Sequence, residues 1–82
     1  MNTAEIRATV LRVLGRIAPE IKTAELQPDV GLREQVDLDS MDFLSFVIGV
    51  GKELGVEIPE SDYAQLDSID HCVAYLAARH SA

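Results

Sequence analysis

Apolar residues recurring at the period of an α-helix constrain this chain more than any other feature. Ile6, Val10, Val13, Leu14 and Ile17 fall on one face at that spacing, with Thr3 the expected cap before them and Pro19 the stop after them. A second run begins at Asp39 or Ser40 and reaches about Leu54, where Gly55 supplies a C-terminal stop. Pro59 opens a short turn of helix through Tyr63 and Leu66. Ser68 then caps a last helix with an inner stripe of Ile69, Cys72, Val73 and Leu76. The stretch Gly55-Val56-Glu57-Ile58 has β character, but a lone strand has nothing to pair with. The expected fold is all-α: a small bundle of three main helices plus one short helix, with a long loop between helices one and two.

That loop, from Pro19 to Leu38, contains Pro28 and Gly31 and keeps no sustained period. Its length is unusual in a small domain, so Leu26, Val30, Leu32 and Val36 are expected to pin it onto the helices. The chain, 82 residues of which 48% are hydrophobic, reads as a single domain spanning 1–82, near the lower size at which a core holds without staples. Cys72 is the only cysteine, which excludes a disulfide scaffold and reads as a small buried hydrophobe. Glu5 and Arg7 interrupt the start, so no signal peptide or membrane anchor is expected. The longest uncharged stretch, Phe43 to Gly51, is too short to span a bilayer. A cytoplasmic location is expected, as is a monomer.

The net charge of −7 is unevenly placed. Residues 1–33 sum to +1, whereas residues 34–70 hold ten acids and only Lys52, for −9. Such a field repels nucleic acid phosphate and anionic lipid, and it steers basic protein surfaces.

The most informative segment is Val36-Asp37-Leu38-Asp39-Ser40-Met41-Asp42-Phe43-Leu44. Asp39 and Ser40 are capping residue types, and Asp42 suits the positive end of a helix. On a helical wheel with Ser40 at zero, Phe46, Val50, Phe43, Leu54 and Val47 cover about 240° to 340°, the core stripe. Met41, Leu44 and Ile48 fall at about 40° to 100°, beside Ser40 and outside that arc. A surface helix needs one apolar stripe, and a second marks a contact surface or the mouth of an apolar cavity. Glu34, Asp37, Asp39, Asp42, Glu53, Glu57, Glu60 and Asp62 ring the patch with acid. Acid around an apolar centre is the layout of a docking surface for basic partners.

Asp39-Ser40-Met41-Asp42 resembles the phosphopantetheine attachment motif of the acyl carrier protein family. The resemblance extends through Gly31-Leu32-Arg33-Glu34-Gln35-Val36 ahead of the motif, Ile58-Pro59-Glu60 after the second helix, and Asp67-Ser68-Ile69 at the last helix. It implies a non-catalytic carrier of acyl thioesters on a 4′-phosphopantetheine arm, which a phosphopantetheinyl transferase moves from coenzyme A to Ser40. It also implies that Asp39, Met41, Asp42, Leu44 and Ile48 meet that transferase and the acyl-loading and acyl-processing enzymes, which present basic docking surfaces. Fatty acid or specialised lipid and secondary-metabolite biosynthesis is the implied setting. Departures from the family pattern are Met41 for leucine, Asp37 for glycine, and Ser45, Gly51 and Lys52 at commonly acidic positions. At Asp37 a left-handed backbone is a possibility that Asp tolerates less readily than glycine. Gly49 and Gly51 are expected to loosen the second helix, by about 1 kcal/mol each relative to alanine.

Other chemistries fit less well. A serine hydrolase needs a base near Ser40, but His71 and His80 stand far along the chain and no Gly-x-Ser-x-Gly elbow exists. A calcium loop from Asp37 lacks glycine at its sixth position and glutamate at its twelfth, so no metal is expected. The alternatives are an acidic helical adaptor that binds a basic protein without a covalent cofactor, and a peptidyl or polyketide carrier.

Overall fold

The structure is a computed structural model and describes residues 2–80. Helix α1 (Thr3–Ile17) starts at Thr3 itself, so its cap, Asn2, lies one residue ahead of the expected one. Asn2 accepts from the Glu5 N–H at 2.9 Å, and the Glu5 carboxylate accepts from the Asn2 N–H at 3.3 Å. This reciprocal box satisfies two orphan donors at once, so Asn2 displaces Thr3 as the cap. Ile6, Val10, Val13 and Leu14 are fully buried along α1, and Ile17 packs half-buried at its end.

The connection after α1 holds more structure than a loop. It makes a 3-10 turn at Thr23–Glu25 and a short helix, α2 (Leu32–Gln35). Leu32 is fully buried, whereas Leu26, Val30 and Val36 are half-buried. Hydrogen bonds do the remaining pinning. Gln35 Nε2 donates to the Gln27 and Val30 carbonyls at 2.8 and 3.1 Å, and its Oε1 accepts from the Gln27 N–H at 2.9 Å. The Leu32 N–H reaches Asp67 O at 2.7 Å, and the Asp70 N–H reaches Pro28 O at 2.9 Å, tying the connection to the start of the last helix.

Helix α3 (Ser40–Leu54) buries Phe46, Val47, Val50, Gly51 and Leu54. Phe43 is half-buried, its ring tilted 39° to that of Phe46 at 6.3 Å. Gly55 ends the helix in the left-handed conformation (φ 66°), and the Val56 N–H folds back onto Gly51 O at 2.9 Å. Gly49 and Gly51 do not act as loose points. A Cβ on Gly49 would lie 2.8 Å from Val13 Cγ1, and one on Gly51 would lie 2.9 Å from the Val56 carbonyl oxygen. Glycine is what lets α1 and the turn after α3 approach this closely.

A 3-10 helix, Glu60–Leu66, follows Pro59. Ser68 then caps α4 (Ile69–His80) as expected, its Oγ accepting from the His71 N–H at 3.1 Å. Ile69, Cys72, Val73, Tyr75 and Leu76 are buried. The Tyr75 hydroxyl donates to Asp62 Oδ2 at 2.6 Å, and Arg79 stacks over the Tyr75 ring at 3.7 Å. Helix α1 packs on both α3 and α4. Arg12 and Arg16 also bridge to Glu53 on α3, and Arg7 bridges to Asp70 on α4. Apolar burial supplies most of the stability, at about 1.5–3 kcal/mol per fully buried large side chain. The exposed ion pairs add about 0–1 kcal/mol each. No strand forms among the described residues: Gly55 is a left-handed turn and residues 56–58 are irregular.

Candidate functional site

Ser40 is the first residue of α3, and it is exposed. Its position follows from the residues before it. Leu38 is buried and anchors the chain, so Asp39 and Ser40 emerge from the core together. Asp39 is the cap: its Oδ1 accepts from the Asp42 N–H at 2.8 Å. Among the described residues the Ser40 hydroxyl has no hydrogen-bond partner, and the Ser40 and Met41 N–H groups have no acceptor. The oxygens of an anionic group esterified to this hydroxyl would face open N–H donors and the positive end of the helix dipole. Asp37 adopts no left-handed backbone, since Gly55 alone has positive φ among the described residues.

Beside Ser40 lies the second apolar stripe. Met41 is 71% exposed, Leu44 37% and Ile48 44%, and they are the exposed large hydrophobics of the described residues. The connection before α3 does not cover them. Past Ile48 the stripe runs into an open cleft of about 350 Å³ between α3 and the segment that follows it. Ile48, Val56, Ile58 and Tyr63 line this cleft, with Lys52 and Glu57 at its edge. The sequence reading did not assign Val56, Ile58 or Tyr63 to the site. For Val56 and Ile58 the only signal was their alternation with Glu57, and Tyr63 read as part of the short helix after Pro59.

The acidic ring is thinner than the sequence suggested. Glu53 faces α1, where Arg16 Nη2 at 2.8 Å and Arg12 Nη2 at 3.3 Å occupy its two oxygens. The Arg16 hydrogen bond is the largest influence holding its carboxyl below the usual range. Asp62 is committed to Tyr75, Gln65 and Arg79. Glu34, Asp37, Asp39, Asp42, Glu57 and Glu60 form no ion pair with a described residue. Neither histidine bonds to Ser40, and His71 is exposed beside Asp67. No three metal-ligating side chains cluster among the described residues.

A small helical bundle that lifts one unbonded hydroxyl out of its core, next to an apolar strip flanked by acid, belongs to the class of carrier domains. Residues 4–76 match the family described as the phosphopantetheine attachment site. The chain is 25% identical over 77 residues to an acyl carrier protein of Acidothermus cellulolyticus, covering 94% of this chain and 90% of that one. Acyl carrier protein 2, mitochondrial, of Arabidopsis thaliana is 26% identical over 82 residues, covering 100% of this chain and 64% of the relative. In fold, an acyl carrier protein from Enterococcus faecalis overlays with a TM-score of 0.80 at 19% identity, across 96% of this chain and 99% of that one. The chain is a member of the acyl carrier protein family. Its role is acyl carriage on a covalent 4′-phosphopantetheine, and this family consists of carriers rather than catalysts. Among the described residues no helix is long and apolar enough to cross a membrane.

Proposed function

We propose that Ser40 is the attachment point of the arm, and that Asp39, Met41, Asp42, Leu44 and Ile48 form the surface read by the enzymes that load and process the cargo. The supporting observation is the Ser40 hydroxyl itself, exposed, unbonded and set at a helix start with open N–H donors. In the loading step a phosphodiester would form at Ser40 Oγ as the phosphoanhydride of coenzyme A breaks, with adenosine 3′,5′-bisphosphate as the leaving group and the serine proton passing to the transferase. The arm supplies a terminal thiol on which an acyl group rides as a thioester. The chain's own residues hold the phosphate at the helix start and present the docking strip. The cleft beyond Ile48, lined by Val56, Ile58 and Tyr63, is the place where an acyl chain would shelter from water.

The partners in this reading are a phosphopantetheinyl transferase and acyl-transferring enzymes whose docking surfaces are basic near Asp39 and Asp42 and apolar opposite Met41 and Leu44. Ser45 and Lys52, both exposed on α3, favour a specialised lipid or secondary-metabolite pathway over bulk fatty acid synthesis, whereas Gly51 is buried and does not bear on recognition. A cytoplasmic location belongs to the same proposal. The family match favours the carrier over the acidic adaptor. Intact mass after incubation with coenzyme A and a phosphopantetheinyl transferase tests the assignment: the mass rises by one arm in the wild type and stays unchanged in Ser40→Ala. A gain that survives in Ser40→Ala would sink it.

A further inference from the structure

Arg33 is the only lysine or arginine between Lys22 and Lys52. It belongs to α2, yet its Nε donates to the Leu38 carbonyl at 3.2 Å, two residues before Ser40. Consecutive Cα atoms are 3.8 Å apart, so the Leu38 and Ser40 Cα atoms lie within about 7.6 Å of each other. Because Leu38 is buried, this anchor holds the guanidinium at the collar of the serine. A guanidinium has five N–H donors, and here only Nε–H has a partner among the described residues. The surroundings make this arrangement unusual. Glu34, Asp37, Asp39 and Asp42 all stand within nine residues of Arg33, and it pairs with none of them. Arg33 is exposed.

Resting on the reading of Ser40 as the attachment point, we propose that Arg33 is a positioning residue for the arm: its guanidinium receives the phosphodiester oxygens on Ser40. Two features support this. A phosphodiester adds a negative charge to a segment that already holds Asp37, Asp39 and Asp42, and Arg33 is the cation hydrogen-bonded to that segment. The planar fork also matches two non-bridging phosphate oxygens, which a lysine ammonium meets only as a point charge. Together with the open Ser40 and Met41 N–H groups, Arg33 fixes the direction in which the arm leaves the helix. The simpler role, holding the Leu38 carbonyl and nothing more, makes a different prediction.

The test compares melting temperatures of the unloaded and phosphopantetheine-loaded protein, in the wild type and in Arg33→Gln, with loading verified by intact mass. Loading is expected to raise the wild-type melting temperature by about 3 °C more than that of Arg33→Gln, the size of a solvent-exposed ion pair in a domain this small. The gap shrinks in 1 M NaCl, and Arg33→Lys recovers at least half of it. In the wild type, the Arg33 Nε–H resonance moves on loading, a readout that does not depend on any variant folding. An equal loss in both forms, with that resonance unmoved, overturns the proposal and leaves Arg33 as a tie for Leu38. Failure to load at Ser40 at all overturns the attachment reading and this inference with it, whereas loading without the gap overturns this inference alone.

Discussion

Ser40 and Cys72 are both potential nucleophiles, and the fold treats them in opposite ways. Ser40 stands exposed and unbonded, while Cys72 is fully buried with its Sγ 3.4 Å from the Leu66 carbonyl. Burial, reinforced by the charge of Asp67, pushes the Cys72 thiol from 9.0 up to about 12. At pH 8 that shift leaves about a thousandfold less thiolate than an ordinary cysteine would have, and the thiolate is the reactive form. A disulfide reagent at pH 8 is therefore expected to titrate no thiol in the folded unloaded protein, one in the loaded protein, and one in the unloaded protein after denaturation. Rapid reaction of the folded unloaded protein would contradict the burial of Cys72. Both residues were legible in the sequence for the same reason: a helix period places Cys72 on an inner stripe and leaves Ser40 at a start. Asn2 was legible too. The Asn-x-x-Glu spacing to Glu5 is a capping-box signature that outranks the Thr3 hydroxyl one position later.

At the level of the elements, α3 shows where local propensity misleads. Glycine in a helix costs about 1 kcal/mol relative to alanine, so Gly49 and Gly51 read from the sequence as weak points. In the fold each glycine marks a close approach instead. At Gly51 the obstacle is the Val56 carbonyl, and that stretch of backbone is itself fixed by the Val56 N–H bond to Gly51 O. A side chain can turn aside, but a hydrogen-bonded turn cannot without losing its own bond. Gly51→Ala is therefore expected to destabilise by about 1–3 kcal/mol, the cost of overpacking, where propensity alone would have it stabilise. Urea unfolding of the two proteins checks the sign. The stripe of Met41, Leu44 and Ile48 was legible because it depends only on angle along one helix. Partners on other elements were not, because Gly51 meets Val56 through a turn and Gln35 staples Gln27 through a reversal that no periodicity encodes.

For the molecule as a whole, the acidic sequence hides a division of labour among its charges. The count of −9 over residues 34–70 suggested one continuous acidic ring, but Glu53 and Asp62 turn inward to arginines on α1 and α4. No sequence rule pairs Glu53 with Arg12 and Arg16 across the gap between helices, so this part of the site became readable only from the packing. The consequence is a distinct response to acid. The Arg16 hydrogen bond, with the charges of Arg16 and Arg12, holds the folded Glu53 carboxyl below its ordinary 4.5. A carboxylate with a depressed folded-state value stabilises fully above its unfolded value, and that contribution disappears as pH falls through the folded one. The other charged groups are common to the wild type and to a Glu53 variant and form a shared background. Comparing the wild type with Glu53→Gln isolates the single tie from that background. The difference in urea midpoint between the two proteins is expected to be constant from pH 7 down to about 5, to narrow below 4.5, and to shrink at every pH in 1 M salt because the pair is exposed. A difference that stays constant down to pH 3 would mean that Glu53 contributes through the packing of its stem, and that α1 is held to α3 by apolar contact alone.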